Sequence, residues 1–355
     1  MNAATRVISP GRRQGRVTVP SSKSIAHREL IAAALSGVEP PVVRGWSKDL
    51  QATRECLRAM MAGESEWPCG ESGTTLRLLE PIAHVMGWRG SFRCEGRLGQ
   101  RPRLPFERKS RYVVPGGVSS QFVSGLLMAL PMADWDSEIV IDGELQSASY
   151  VLLTENVLAA SGIRVERSPR VMLDGRELSP LSWKVRGGQS YRIEGGRVVE
   201  GDWSQAAFFL AMGVEVDGLR EDSDQGDRVV RGLLARIDRS AESTDGAVID
   251  LRDCPDLYPA LAAYAAARGR KAVFTGTERL RLKESDRLAA VADLIESVRR
   301  GETVDPHGDH RIAMAAAVMA CYAKSPVTVA DPGCVAKSYP GFWSDFDSLP
   351  CVKVG

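Results

Sequence analysis

Aromatic residues, histidines and paired cysteines are scarce in this chain. Aromatic side chains make up 6% of the 355 residues, histidine occurs four times, and no two cysteines are spaced C-x-x-C. The seven cysteines are scattered and odd in number, which argues against a disulfide framework or a zinc site and favours a reducing, cytoplasmic setting. No run of about 18 apolar residues occurs, so we expect no membrane-spanning segment. The first thirty residues lack the apolar core of a signal peptide, so none is expected.

An excess of either sign of charge is also missing. The chain has 46 Lys and Arg against 45 Asp and Glu, a net charge of +1. Non-specific nucleic-acid binding requires a basic excess, so nucleic acid is not an expected partner. No Gly-x-x-x-x-Gly-Lys-Ser/Thr motif occurs, which argues against a P-loop kinase. A length of 355 residues with 44% hydrophobic residues predicts a globular protein of two domains.

What the chain does contain is one repeated design. Eight segments have a polar, often basic start followed by an Ala- and Leu-rich run, several of which end near a glycine. Ser, Thr and Asp at the starts are N-caps and the glycines are C-caps, so these segments predict eight mostly buried helices. Pro81 and Pro259 fall inside two of them and should kink or shorten them. The apolar runs end at Leu35, Met86, Leu130, Ala160, Met212, Ala267, Val298 and Ala323.

Between the helices lie shorter segments with the composition of strands, and a hairpin is predicted around Gly187-Gly188. The alternation of strands and helices predicts an α/β or α+β fold with internal structural repetition. The predicted strands cover residues 16–19, 41–46, 91–95, 138–141, 163–166, 183–186, 191–194, 272–275 and 327–330.

The helix starts are candidate anion sites. The first turn of a helix has unpaired N–H groups and a partial positive charge, which bind phosphate and carboxylate. Capping alone explains any single serine-rich start. Eight such starts, several with lysine or arginine nearby, would form a strong anion-binding site if they converge.

The first of these starts carries a recognisable motif. Residues 20–28 read Pro-Ser-Ser-Lys-Ser-Ile-Ala-His-Arg, and Arg28 lies on the same helix face as Ser24. This segment resembles the opening motif of the 5-enolpyruvylshikimate-3-phosphate synthase family. Eight further segments resemble blocks of that family in the same order, namely 70–77, 101–102, 119–122, 201–210, 255–256, 282–288, 309–314 and 336–340.

The resemblance implies a fold and a reaction. The fold would be the two-domain enolpyruvyl transferase fold, an α/β (α+β) architecture with three βαβαββ repeats in each domain and helix starts facing the cleft between the domains. Residues 1–19 with 201–355 would form the first domain and residues 20–200 the second. The protein would transfer the enolpyruvyl group of phosphoenolpyruvate to the 5-hydroxyl of shikimate 3-phosphate and release phosphate. We expect a monomer that needs no cofactor.

The two substrates together carry about six negative charges, so the site must supply dense, fixed cations. The motif cations that would roughly balance them are Lys23, Arg28, Arg77, Arg101, Lys283, Arg287, Arg311 and Lys337. We expect no metal, because the sequence His307-x-Asp309-His310 lacks a third strong ligand.

The resemblance assigns roles to particular residues. Asp256 would be the base and Glu284 the proton donor, assisted by Lys23, although a cap and a first-turn acid explain the two carboxylates equally well in isolation. Residues that would bind shikimate 3-phosphate are Lys23, Ser24, Arg28, Ser119, Ser120, Gln121, Ser147, Asp256 and Lys283. Residues that would bind phosphoenolpyruvate are Lys23, Gly73, Arg101, Gln121, Arg287, Arg311 and Lys337.

Two other functions remain open from the sequence. One is transfer of enolpyruvyl to UDP-N-acetylglucosamine, although the loop at 97–105 lacks the cysteine usual in that enzyme. The other is an inactive anion-binding homologue. Three departures from the family pattern are Ser22 in place of glycine, Glu71 in place of asparagine, and Arg279 where an asparagine often contacts substrate.

Overall fold

The computed structural model describes residues 4–173, 176–242 and 246–352, and the chain forms two compact units. The first unit comprises residues 1–22, 44–47 and 200–355, and the second comprises residues 23–43 and 48–199. The short segment 44–47 is tied to the first unit, where the Arg44 N–H donates to Ser21 Oγ at 3.0 Å. Both units mix helices with strands.

The first unit has small sheets and helices. Strands β1 and β15 pair antiparallel, β3 and β12 pair parallel, β13 and β14 pair parallel, and β2 pairs antiparallel with β16. Numbered in chain order through both units, its elements are β1 (Thr5–Ile8), β2 (Arg12–Arg13), β3 (Arg16–Thr18), α6 (Trp203–Met212), β12 (Glu215–Asp217), α7 (Val230–Arg239), β13 (Ala247–Asp250), α8 (Tyr258–Ala267), β14 (Ala272–Thr275), α9 (Arg287–Arg300), α10 (His310–Ala320), β15 (Val327–Ala330), α11 (Phe342–Ser348) and β16 (Cys351–Val352).

Helix α10 lies at the centre of the first unit. Every residue of the helix is buried, and it packs against α6, α8 and α9. Five of its eleven residues are alanine, and their small side chains let neighbouring helices approach closely. A helix that is apolar all round must be enclosed by others, so its N-terminal end is held in a fixed position.

The second unit is built around a four-stranded sheet in the order β6-β7-β11-β8, with β6 and β7 parallel. Strands β4 and β5 form a separate parallel pair. The elements of this unit are α1 (Lys23–Ser36), α2 (Lys48–Met61), β4 (Glu66–Gly70), α3 (Gly73–Val85), β5 (Ser91–Cys94), β6 (Arg111–Pro115), α4 (Ser120–Ala129), β7 (Ser137–Asp142), α5 (Ala148–Ala160), β8 (Val165–Ser168), β9 (Val171–Leu173), β10 (Arg176–Ser179) and β11 (Ser182–Val185).

All eight predicted helices are present, as α1, α3, α4, α5, α6, α8, α9 and α10. Pro259 falls in the first turn of α8, where a missing N–H is tolerated, whereas α3 continues past Pro81. Helices α2, α7 and α11 were missed. Helix α2 carries buried Leu50, Leu57 and Met60 at helical spacing, but its exposed face is charged, so it lacks the Ala- and Leu-rich composition of the others.

Seven of the nine predicted strands are present, and the other two are wrong. Residues 41–46 form only an isolated bridge between Val42 and Val198. The predicted hairpin at Gly187-Gly188 is also wrong, because residues 191–194 form no strand. Gly187 instead lies so close to the carbonyl oxygens of Ala133 and Trp135 that a Cβ there would collide with both. The glycine serves close packing rather than a turn.

Candidate functional site

The guanidinium of Arg287 joins three carboxylates at the start of α9. Its Nη1 donates to Asp256 Oδ1 at 2.8 Å, its Nη2 to Glu284 Oε2 at 2.6 Å, and its Nε to Asp309 Oδ2 at 2.9 Å. Only 2% of its side chain is exposed. Burial lowers the pKa of Arg287, but the three carboxylates outweigh it and leave the pKa above its usual value. The geometry therefore holds Asp256 and Glu284 on one fixed cation.

Asp256 also contacts two other cations. Its Oδ2 accepts from Arg311 Nη2 at 3.0 Å, and its Oδ1 accepts from Lys283 Nζ at 3.3 Å. Burial lowers the pKa of Lys283 below its usual range, and the Asp256 carboxylate offsets part of that shift. These contacts orient one carboxylate among three positive groups.

Three helix starts meet around Arg311 within the first unit. Arg311 lies in the first turn of α10, whose cap Asp309 accepts its backbone N–H at 3.0 Å. The Arg311 Nη2 also donates to Ser204 Oγ at 3.0 Å, in the first turn of α6, which Asp202 caps. Because α9 is joined through Arg287, the starts of α6, α9 and α10 face one another. Such a convergence supplies N–H groups and partial positive charge to an anion.

The cations of this cluster are paired with carboxylates, which the sequence-based sum of cations did not include. Counting cations alone overlooked the carboxylates that accompany them, because buried charges in a folded protein require partners. Three cations face three carboxylates in the first unit: Lys283, Arg287 and Arg311 against Asp256, Glu284 and Asp309. Asp309 was predicted only as a helix cap, and its Oδ2 also accepts from Arg287 Nε at 2.9 Å.

Arg28, in the second unit, has a different environment. Its side chain is almost fully buried, at 1% exposure, and its hydrogen-bond partners are neutral. Nε donates to Thr154 Oγ1 at 2.7 Å, while Nη2 donates to Ser124 Oγ at 3.1 Å and to the Tyr150 carbonyl at 2.9 Å. Burial lowers the pKa of Arg28 to about 10, so the group remains charged at neutral pH. In the described part of the chain no carboxylate pairs with this buried cation, so its counter-charge would have to come from an anionic ligand.

Lys23 is the first residue of helix α1 and forms an ion pair with Asp49, which lies outside the recognised motifs. Its Nζ donates to Asp49 Oδ2 at 2.7 Å, and the Asp49 side chain is only 8% exposed. Asp49 lies in the first turn of α2, the helix that composition failed to predict. The Ser24 carbonyl, one residue after Lys23, accepts from Arg28 Nη1 at 2.6 Å. The opening motif is thus held by partners on both its own and a neighbouring helix.

The start of α3 carries Gly73 next to two arginines. A Cβ at Gly73 would lie 3.2 Å from Arg101 Nη1 and 3.6 Å from Arg77 Nη1. Arg77 Nη1 also donates to Gln121 Oε1 at 2.6 Å, and Gln121 Nε2 donates to Thr74 Oγ1 at 2.8 Å. Gly73, Arg101 and Gln121, which the resemblance places at one substrate, therefore lie together.

Two more helix starts in this unit carry the remaining predicted serines. Ser119 caps α4, where its Oγ accepts from the Gln121 N–H at 3.3 Å, and Ser120 is 5% exposed. Ser147 precedes α5 with φ of 56°, in the left-handed region that non-glycine residues rarely adopt. Such strain persists only where the surrounding structure enforces it, and it is frequent at functional sites.

The structure therefore gathers the candidate residues into two sets, one in each unit. Lys337 belongs to the first unit, where it is buried in the 3₁₀ turn Pro332–Lys337. In the described part of the chain, no group of three or more His, Cys, Asp or Glu residues could hold a metal ion. None of the helices among residues 4–173, 176–242 and 246–352 is long and apolar enough to cross a bilayer.

Helix starts bearing serine, lysine and arginine, with carboxylates held among them, are typical of proteins that bind small anions. A family model described as EPSP synthase (3-phosphoshikimate 1-carboxyvinyltransferase) matches residues 7–109 and 103–346. A curated 3-phosphoshikimate 1-carboxyvinyltransferase of Clostridium kluyveri is 35% identical, with 96% of each chain covered. One of Clostridium perfringens is 34% identical and covers 98% of this chain and 99% of its own.

The fold comparison agrees with the sequence comparison. A solved structure of EPSP synthase from Acinetobacter baumannii superposes with a TM-score of 0.68 at 20% identity, covering 98% of each chain. The chain belongs to the EPSP synthase family.

Proposed function

We propose that the protein transfers the enolpyruvyl (carboxyvinyl) group of phosphoenolpyruvate to the 5-hydroxyl of shikimate 3-phosphate and releases phosphate, a step in the synthesis of aromatic amino acids. One observation carries the proposal beyond family membership. Asp256 and Glu284 both accept hydrogen bonds from Arg287, at 2.8 and 2.6 Å. A base and an acid are therefore held within reach of one small substrate, as proton transfer during addition to an enol requires.

The reaction proceeds by addition and elimination. Asp256 accepts the proton of the 5-hydroxyl as its oxygen bonds to C2 of phosphoenolpyruvate, while Glu284 delivers a proton to C3. A C3 proton then returns to the Glu284 carboxylate as the C2–O bond to phosphate breaks, and Asp256 passes its proton to the departing phosphate. These transfers regenerate the double bond and restore both side chains. Arg287 and Arg311 stabilise negative charge on the adduct, a contribution that is usually large because these groups are fixed beforehand.

The two substrates are bound by two overlapping sets of residues. Arg28, with its neutral partners, suits shikimate 3-phosphate together with Ser24 and the serines at the starts of α4 and α5. The residues that bind phosphoenolpyruvate are Lys23, Gly73, Arg101, Gln121, Arg287, Arg311 and Lys337. The residues that bind shikimate 3-phosphate are Lys23, Ser24, Arg28, Ser119, Ser120, Gln121, Ser147, Asp256 and Lys283. These residues come from both units.

The division into two compact units supports a two-domain assignment of residues 1–19 with 201–355 and residues 20–200. Each domain would consist of three βαβαββ repeats, as the resemblance implies. The reaction balances without a cofactor or a metal ion, since every proton has a protein donor or acceptor. We further propose that the protein acts in the cytoplasm as a monomer.

A phosphate-release assay tests the proposal. Phosphoenolpyruvate is incubated with shikimate 3-phosphate, with UDP-N-acetylglucosamine, or alone. We expect phosphate release only in the presence of shikimate 3-phosphate. Release only with the nucleotide sugar would contradict the proposal, and so would the absence of release with either acceptor. Glu284→Gln should abolish most release, and the matched control Glu302→Gln, at an exposed position, should not.

A further inference from the structure

A row of four buried polar side chains links the first three helices of the second unit. His27 Nδ1 lies 2.6 Å from Thr53 Oγ1, which lies 2.6 Å from Thr75 Oγ1. Thr75 Oγ1 donates to Ser72 Oγ at 2.7 Å. His27, Thr53 and Thr75 have no exposed surface, and Ser72 has 1%. The distances are short and water is excluded, so each of these bonds is costly to break.

The direction of donation along this row follows from the chemistry of its ends. Ser72 Oγ already accepts from the Thr75 hydroxyl and from the Thr75 N–H, at 3.3 Å. Among residues 4–173, 176–242 and 246–352, the buried His27 Nε2 has no hydrogen-bond partner. A buried nitrogen that lacks a partner is better left as an acceptor than as an N–H donor, so the hydrogen resides on Nδ1. Donation then runs from His27 through Thr53 and Thr75 to Ser72.

His27 can fill this role because it stays uncharged. Burial lowers the pKa of His27 well below its usual value, and the nearby charges of Lys23 and Arg28 lower it further. A neutral imidazole has one donor and one acceptor nitrogen, and only the donor is used here. A protonated ring would place an unsatisfied Nε2–H in the core.

The row reaches two parts of the candidate site. At one end, Ser72 caps α3, whose first residue is Gly73, beside Arg101. In the middle of the row, Thr53 lies one turn after Asp49, and the Asp49 carbonyl is 3.4 Å from Thr75 Oγ1. The Asp49 carboxylate in turn holds the Lys23 ammonium at 2.7 Å. The row therefore ties the helix start that presents Gly73 to the pair that presents Lys23.

We propose that the buried row His27–Thr53–Thr75–Ser72, together with Asp49, is a positioning device that keeps Lys23 and the Gly73 helix start in register for phosphoenolpyruvate. Thr53 is its central residue, because it contacts the members on either side. This inference rests on the proposed function, since phosphoenolpyruvate is taken as the ligand.

Two variants of Thr53 separate positioning from packing. Thr53→Val keeps the shape but removes the hydroxyl, which leaves His27 Nδ1 and Thr75 Oγ1 without their partner. We expect the KM for phosphoenolpyruvate to rise about tenfold, with kcat and the KM for shikimate 3-phosphate changed less than threefold. Thr53→Ser, which restores the hydroxyl, should return the KM for phosphoenolpyruvate to within threefold of the wild type.

A matched control loses a buried hydroxyl elsewhere in the same unit. Ser161 has no exposed surface, and its Oγ donates to the Val157 carbonyl at 2.7 Å. Ser161→Ala should lower the melting temperature without altering either KM. An unchanged KM for phosphoenolpyruvate in Thr53→Val would overturn the proposal, as would equal impairment of Thr53→Val and Thr53→Ser.

A second measurement does not require catalysis. The ¹⁵N chemical shifts of the His27 ring distinguish an Nδ1–H from an Nε2–H tautomer, and the signal is assigned by its absence in His27→Asn. We expect the Nδ1–H form throughout pH 6 to 9. The Nε2–H form, or a protonated ring at pH 6, would refute the direction of the row even if the wild type released phosphate as proposed. Failure of phosphate release in the wild type would refute the proposed function and leave this measurement intact.

Discussion

Replacing Asp309 by asparagine tests whether Asp309 stabilises the folded cluster of Arg287 and Arg311 without taking part in proton transfer. Asp309 has no exposed surface. Its Oδ1 accepts the Arg311 N–H at 3.0 Å, and its Oδ2 accepts from Arg287 Nε at 2.9 Å and Ser285 Oγ at 3.0 Å. Asparagine keeps an oxygen for the helix cap but places an NH₂ group against the Nε–H of Arg287, where two donors face each other.

The expected cost follows from these contacts. Removing one partner of a buried ion pair costs about 3–5 kcal/mol, and the lower end applies because Asp256 and Glu284 still face Arg287. The cap is retained, so no further loss is added. In a folded unit of this size, about 3 kcal/mol lowers the melting temperature by about 6–12 °C.

Glu284→Gln is the matched comparison, because Glu284 accepts from the same guanidinium but keeps 15% of its side chain exposed. The Gln Oε1 can still accept from Arg287, so the free-energy cost should be about 1 kcal/mol. Turnover should nevertheless fall by about 100-fold or more, because the amide cannot donate a proton to C3. Thermal unfolding and phosphate release measure the two effects separately.

The two variants should therefore rank in opposite orders. Asp309→Asn should be the less stable, and Glu284→Gln the less active once each is assayed well below its melting temperature. A melting temperature of Asp309→Asn within 2 °C of the wild type would refute the reasoning. So would near-normal turnover of Glu284→Gln.

Three further outcomes are expected. Gly73→Ala should raise the KM for phosphoenolpyruvate about tenfold and weaken inhibition by glyphosate, the family's inhibitor, because its Cβ would lie 3.2 Å from Arg101 Nη1. The control is Gly99→Ala, whose Cβ would meet no heavy atom of the described residues within 4 Å beyond its chain neighbours, and equal effects of the two variants on this KM would contradict the prediction. Arg28→Met should raise the KM for shikimate 3-phosphate at least 100-fold, because it removes the buried cation proposed to face that ligand, and steady-state kinetics measure this. A KM for shikimate 3-phosphate within threefold of the wild type would contradict the role of Arg28. The His27 imidazole binds a proton near pH 6.5 in the unfolded chain, whereas burial keeps it unprotonated in the native chain. The free energy of unfolding should therefore fall by up to about 1.4 kcal/mol for each pH unit below 6.5. Denaturant titrations should show this slope in the wild type and in His84→Asn but not in His27→Asn.

Capping residues and apolar runs in the sequence predicted the helices that are buried and have a side-chain cap. The starts of α3, α6, α9 and α10 were predictable because each has a side-chain cap and an apolar run behind it. Helix α2 was missed because its outer face is charged, and with it the site residue Asp49 was missed. The apolar spacing of Leu50, Leu57 and Met60 was the signal that could have found it.

The sequence by itself determined the residue types and their order: caps, cations and two carboxylates inside motifs, and from these the family and its reaction. It could not determine which charges cancel, because pairing depends on side chains that are distant in the chain. Lys23 and Asp49 are 26 residues apart, and Arg287 and Asp256 are 31 apart, yet each pair lies within 3 Å. Only the packing of helices brings such groups together, and a charge removed from water depends on the partner that packing provides.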